Sequence, residues 1–118
     1  MANYSNATLD RIFAALGDAN RRAMLSCLER DRTLTISALA EPLPIKLPTV
    51  LKHLDVLTEA GLVRRTKRGR TVTVELVADP LKTAMEWLTR YERFWSASLD
   101  RLAAYAEAKA AQAEEKDE

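Results

Sequence analysis

The apolar positions of this chain recur at helical spacing, switch near residue 62 to strict alternation, and return to helical spacing beyond residue 80. Leu9, Ile12, Phe13 and Leu16 define a first helix that stops at Gly17, a residue suited to a left-handed C-terminal turn. Asp18 reads as the N-cap of a second helix, whose apolar stripe is Ala23, Met24, Leu25 and Leu28. A short third helix starts at Thr35, where the hydroxyl can cap it. It turns Ile36, Leu39 and Ala40 inward, and Pro42 and Pro44 prevent its extension. A fourth helix runs from about Leu47 to Ala60, with Pro48 tolerated in the first turn because the amide there has no intrahelical partner. Val50, Leu54 and Leu57 form its buried face, and Gly61 ends it.

Val72, Val74 and Leu76 alternate with Thr71, Thr73 and Glu75, which predicts a strand. Leu62 and Val63 begin its partner, and "TKRGR" (66–70) is the turn, with Gly69 available for a positive φ. Asp79 and Pro80 read as N-cap and first-turn residue of a last helix. It continues through Leu81, Met85, Leu88, Trp95, Leu99 and Leu102 to about Tyr105 or beyond. About 26 helical residues span roughly 39 Å, whereas a domain of this length has a radius of gyration of only ~13 to 14 Å. Five of the seven aromatic residues lie on this helix, Trp87, Tyr91, Phe94, Trp95 and Tyr105, and they spread over more than one face. A single core cannot cover them all, so a second copy of the chain is the expected cover.

With 118 residues and 47 % hydrophobic content, the chain is expected to be one domain, 1–118, with one modest core. No window approaches the roughly 18 apolar residues of a membrane span, and the first ten residues lack a basic start, so a soluble, cytoplasmic protein without a membrane partner is expected. Cys27 is the only cysteine, which excludes an internal disulfide and fits a reducing compartment. One cysteine and one histidine on different helices do not make a zinc or arsenic site, nor a nucleophile with its base. Neither an enzyme nor a cofactor is expected. The glycines fall at 17, 61 and 69, all at element ends or turns, so there is no glycine-rich phosphate loop.

Charge changes the picture. The formal net charge is +1, yet Lys46 to Arg70 holds seven basic and two acidic residues, a net of +5. Glu107 to Glu118 holds five acids and two lysines, a net of −3, and from about 109 onwards reads as a fraying helix end or acidic tail. A local cationic segment can bind a polyanion because the relevant field extends only about 8 to 10 Å.

Three helices, a fourth entered through a short link and then a hairpin give the order of a winged helix-turn-helix, mainly α with a small two-stranded β-hairpin. In that arrangement the fourth helix lies in the major groove of DNA and the hairpin reaches the neighbouring backbone. Arg64, Arg65, Lys67, Arg68 and Arg70 then sit on a hairpin tip beside phosphates. Thr49, Lys52 and Val56 project away from the buried stripe, where base-reading side chains belong. His53 borders the stripe and either contacts DNA or packs between helices. Arg21 and Arg22 either pair with a carboxylate or a helix C-terminus, the structural role expected first, or contact DNA.

The stretches "FAALGDANRRAMLSCL", "ISALAEPLPIKLPTVLKHLDVLTEAGLVRR", "GRTVTVEL" and "WLTRYERFWSASLDRLAAY" resemble the ArsR-type family of bacterial winged-helix regulators, in particular the branch without metal-binding cysteines. The similarity spans roughly residues 8–106. It implies a homodimeric, operator-binding transcription factor, usually a repressor, whose first and last helices form the dimer interface. Its partners would be double-stranded DNA and a second copy of itself. On that pattern, about 8–78 holds the four helices and wing, and about 79–108 the dimerisation helix. The interface would contain Leu9, Phe13, Trp87, Tyr91, Phe94, Trp95, Leu99, Leu102 and Tyr105. The matching recognition-helix positions are Lys46, Leu47, Pro48, Thr49, Val50, Leu51, Lys52 and His53. The family often has serine where this chain has Lys46 and Leu51. Lysine cannot cap a helix but adds a phosphate contact, and Leu51 either packs internally or touches a thymine methyl. Two alternatives stand beside this reading: a thiol redox-sensing repressor acting through Cys27, and a winged-helix module that binds only proteins. The sequence names no small-molecule effector.

Overall fold

The computed structural model describes residues 6–116. The chain divides into two compact units, with the boundary between Met85 and Glu86. In order, the elements are α1 (Asn6–Leu16), α2 (Ala19–Asp31), β1 (Thr33–Thr35), α3 (Ile36–Ala40), α4 (Leu47–Glu59), β2 (Val63–Arg68), β3 (Thr71–Leu76), α5 (Asp79–Thr89) and α6 (Arg93–Lys116).

The first unit buries the stripes that the spacing predicts. Met24, Leu28, Leu39, Val50, Leu54, Leu57 and Val74 are fully buried in one cluster. Its helices are fixed at their ends by specific caps. Oδ1 of Asp18 accepts from the amides of Asn20 at 2.9 Å and Arg21 at 3.1 Å, which satisfies two of the free donors at the start of α2. Oγ1 of Thr35 accepts from the Ala38 amide at 3.1 Å, so one residue both closes β1 and caps α3. At the end of α4, Gly61 adopts φ +74°, its amide donates to the Thr58 carbonyl at 3.0 Å, and the Leu62 amide donates to Leu57 at 2.9 Å. This paired closure is a Schellman turn, and it delivers the chain directly into β2.

The sheet has three strands, not the two expected, in the order β1-β3-β2 and antiparallel throughout. Thr33–Thr35 is too short to display a period, and its last residue already carries the helix-cap signal of α3. The hairpin is also tighter than "TKRGR" suggests. Lys67 pairs with Val72 and Arg68 with Thr71, which leaves a two-residue loop of Gly69 and Arg70. Gly69 supplies a positive φ of 62° at the first loop position, the pattern that lets two twisted strands meet without splaying.

The long last helix is interrupted. Between α5 and α6 the amides of Arg90, Tyr91 and Glu92 donate three residues back, to Trp87, Leu88 and Thr89, and the α-helical ladder is lost for one turn. No glycine or proline marks this break. The rings of Trp87 and Tyr91 lie 5.1 Å apart and those of Tyr91 and Phe94 6.2 Å apart, so the interruption carries its own aromatic packing. The Ala78 carbonyl accepts from the Leu81 and Lys82 amides, which makes Ala78 the residue preceding the helix and places Asp79 inside its first turn, not at the cap. Thr83 and Ala84, in the part of α5 that belongs to the first unit, are buried. Of the two readings of the segment from about 109, a fraying helix end or an acidic tail, the helical one describes α6, which continues to Lys116; Asp117 and Glu118 lie outside the described residues. Among the described residues no helix is long and apolar enough to cross a membrane.

Candidate nucleic-acid interface

The helix α4 begins at Lys46, whose carbonyl accepts from the amides of Thr49 and Val50 and whose side chain makes no cap. Lys46, Leu47, Pro48, Thr49, Leu51 and Lys52 are all exposed, opposite or beside the buried Val50, Leu54 and Leu57. Neither lysine forms an ion pair with a described residue. The first turn and a half of the helix therefore presents two uncompensated cations, a hydroxyl and apolar groups to solvent.

Two residues expected on this face are committed elsewhere. Val56 is half-buried and packs against the core. His53 has a side chain only 14 % exposed. Its Nδ1 lies 3.1 Å from Nη1 of Arg21, and its Nε2 lies 3.9 Å from Oδ1 of Asp18. A guanidinium can only donate, so Nδ1 is the acceptor and the imidazole carries its proton on Nε2, toward the carboxylate. Of the two readings open for His53, the packing one describes what the side chain touches. Arg21 also donates from Nε to the Ala15 carbonyl at 2.8 Å and from Nη2 to Ala14 at 2.9 Å, while Arg22 donates to Leu16 at 2.8 Å. Both arginines thus close the C-terminus of α1, the structural role expected of them. The Asp18 carboxyl is held below the ordinary carboxylate range, chiefly by the hydrogen bond from the Arg21 amide, with the Arg21 guanidinium and the Asn20 amide acting in the same direction and partial desolvation in the opposite one.

On the wing, a strand's period of two sorts the basic cluster onto opposite faces. Arg64 and Arg68 stand opposite Glu75 and Thr71 on the face away from the core, while Arg65 and Lys67 share the face of buried Val63 and Val74. Arg64 pairs with Glu75 at 3.0 Å across the strands, and Arg65 pairs with Asp55 of α4 at 2.9 Å. The expectation that all five basic residues sit on the hairpin tip is therefore corrected. Arg64 and Arg65 lie at the base of β2 with carboxylate partners, and only Lys67, Arg68 and Arg70 are at the tip. These three are exposed and form no ion pair with a described residue. Neither Asp55 nor Glu75 is evident as a partner from the sequence; the alternation of β2 and β3 carries the signal for Glu75, whereas Asp55 lies on α4 and meets Arg65 only in the fold.

Cys27 is half-buried against the core, with Nη2 of Arg30 at 3.4 Å from its sulfur. Among the described residues no three of His, Cys, Asp and Glu converge as a metal site requires.

A helix-turn-helix with cations on the outer face of its second helix, followed by a cation-tipped hairpin, defines a winged helix-turn-helix DNA-binding protein. Comparison with known proteins agrees. The helix-turn-helix domain family matches residues 16–66. The chain is 34 % identical over 90 residues to YuzN, an uncharacterized HTH-type transcriptional regulator of Bacillus subtilis, covering 70 % of this chain and 98 % of that protein. It is 24 % identical over 83 residues to the transcriptional repressor SdpR of the same organism, covering 70 % and 91 %. A crystal structure of an ArsR family transcriptional regulator superposes with a TM-score of 0.73 at 36 % identity, covering 81 % of this chain and 97 % of that one. The chain belongs to the ArsR family of winged helix-turn-helix transcriptional regulators, and it is a DNA-binding regulator, not an enzyme.

Proposed function

We propose that the protein is a homodimeric repressor that does not respond to metals and that places α4 of each copy in successive major grooves of an inverted-repeat operator, about 34 to 36 Å apart. The observation that carries this reading is the set of five unpaired cations, Lys46 and Lys52 on α4 and Lys67, Arg68 and Arg70 at the wing tip. Thr49 and Lys52 supply hydrogen bonds to base edges, and the wing cations displace counterions from phosphates. The dimer is supported by α6, where Trp95, Leu99 and Leu102 form one exposed stripe and Phe94 and Tyr105 a second. Repression is supported by the relationship to SdpR. With only one cysteine and one histidine, each copy lacks the three or four soft or imidazole ligands of a metal sensor.

Selection of bound fragments from random DNA, followed by anisotropy titrations at several salt concentrations, tests this function. An inverted repeat is expected, and about six neutralised phosphates give a slope of log affinity against log salt near −5. A slope near zero, or selected fragments without a repeated half-site, would overturn it.

A further inference from the structure

Leu47 and Leu51 stand one helical turn apart on α4 and are 52 % and 38 % exposed. Neither belongs to the buried cluster or packs against its rim, although the same helix buries Val50, Leu54 and Leu57 completely. Of the two fates open to Leu51, internal packing is thus not the one adopted. Lys46 and Lys52, unpaired and exposed, flank the leucines on the same helix and draw that surface toward a polyanion.

We propose that Leu47 and Leu51 are specificity-determining residues that read thymine 5-methyl groups, so that each operator half-site carries two nearby thymines beneath the first turns of α4. This rests on α4 being the recognition helix. A leucine offers no hydrogen bond, and the thymine methyl is the apolar feature that the major groove displays. Side chains four residues apart on a helix have Cβ atoms about 5 to 6 Å apart, and successive bases on one strand are about 3.4 Å apart. The pair therefore spans at most about two base steps, so the thymines are adjacent or separated by one position. Leucine at both positions also offers no donor to the acceptor atoms of a guanine or adenine edge, and discrimination comes from shape and desolvation of the methyl groups.

Replacing single thymines of the selected operator by deoxyuridine tests this directly, because it deletes the methyl and keeps every hydrogen-bonding group. The titrations use the full chain and its Leu47→Ala and Leu51→Ala variants, with thermal melts expected to be little changed because both side chains are exposed. Two thymines per half-site are expected to respond, each replacement weakening the wild type about fourfold, the effect of burying one methyl. Each loss should fall below about 1.5-fold in the matching alanine variant, the methyl's partner then being absent. Uridine replacements that cost the wild type nothing, that cost the variants equally, or a half-site lacking two thymines within two steps would overturn the inference while leaving the recognition helix in place. A chain that selects no DNA at all removes both readings together.

Discussion

Nη1 of Arg21 lies 3.1 Å from Nδ1 of His53, while the other two nitrogens of the same guanidinium hold the Ala14 and Ala15 carbonyls at the end of α1. One side chain thus links the C-terminus of the first helix to the helix proposed to enter the groove. The planar fork suits this because its donors diverge at fixed angles. Arg21→Ala removes three charge-assisted bonds from a partly buried junction and is expected to cost about 2 to 4 kcal/mol in urea unfolding. Arg21→Lys keeps the charge but not the fork, and should recover less than half of that loss. An alanine variant as stable as the wild type would show that the junction is held by apolar packing alone.

Acid should weaken the same junction through Asp18. Its carboxyl is held below the ordinary range by the Arg21 amide above all, and by the positive charge of the Arg21 guanidinium. A depressed folded value means that the unfolded state binds the proton first as pH falls. The contribution of Asp18 is therefore complete above the ordinary carboxylate value of about 3.9 and is lost as pH drops through the lower folded value. Asparagine caps a helix about as well as aspartate but does not titrate. Urea midpoints of Asp18→Asn should accordingly fall less steeply than those of the wild type below about pH 4. Parallel curves for the two proteins would remove Asp18 as a source of acid sensitivity.

Asp55 and Arg65 join α4 to the base of the wing at 2.9 Å, and the pair withholds a cation from any approaching phosphate. Asp55→Asn should release Arg65, strengthen binding to all duplexes about three- to tenfold at moderate salt and steepen the salt slope by about one unit. In an Arg65→Ala background the gain should shrink by more than half, since the carboxylate then has no guanidinium to restrain. A gain of equal size in both backgrounds would mean that Asp55 acts only by repelling phosphate.

Much of this fold was legible because its signals are local. Asp18, Thr35 and Gly61 announce helix ends by chemistry that depends only on nearby residues, and the Val50, Leu54, Leu57 stripe is visible in the spacing. What escaped is decided by contacts distant in sequence. β1 exists because Leu34 finds Val74 forty residues away, and three residues alone carry no strand period. The break at Arg90–Glu92 has no helix-breaking residue, and it shows only in the three-residue backbone hydrogen bonds of Arg90, Tyr91 and Glu92, beside which the rings of Trp87, Tyr91 and Phe94 pack. The basic cluster was visible as charge, but its division between paired and unpaired cations follows from the register that sets Arg64 opposite Glu75. The same limit applies to His53, whose position beside the buried stripe left two roles open until Arg21 closed on its ring.

The proposed dimer makes the sharpest demand on α6. Trp95, Leu99 and Leu102 are 43 %, 56 % and 63 % exposed, and their spacing puts them along one stripe of a helix roughly 36 Å long. Because these side chains are exposed in the single chain, a charge placed among them costs the subunit little. Buried against a second copy, the same charge has no partner and costs several kcal/mol. Leu99→Asp should therefore leave the helical circular dichroism of dilute protein unchanged while shifting sedimentation at micromolar concentration from dimer to monomer. Binding to a full inverted repeat should fall more than tenfold, since linked half-sites lose their shared effective concentration. Binding to an isolated half-site should stay within about twofold, since each α4 and wing are intact. A Leu99→Asp protein that still sediments as a dimer would place the interface on another surface, and an equal loss on half-site and full operator would indicate that the substitution damages the DNA-binding unit itself.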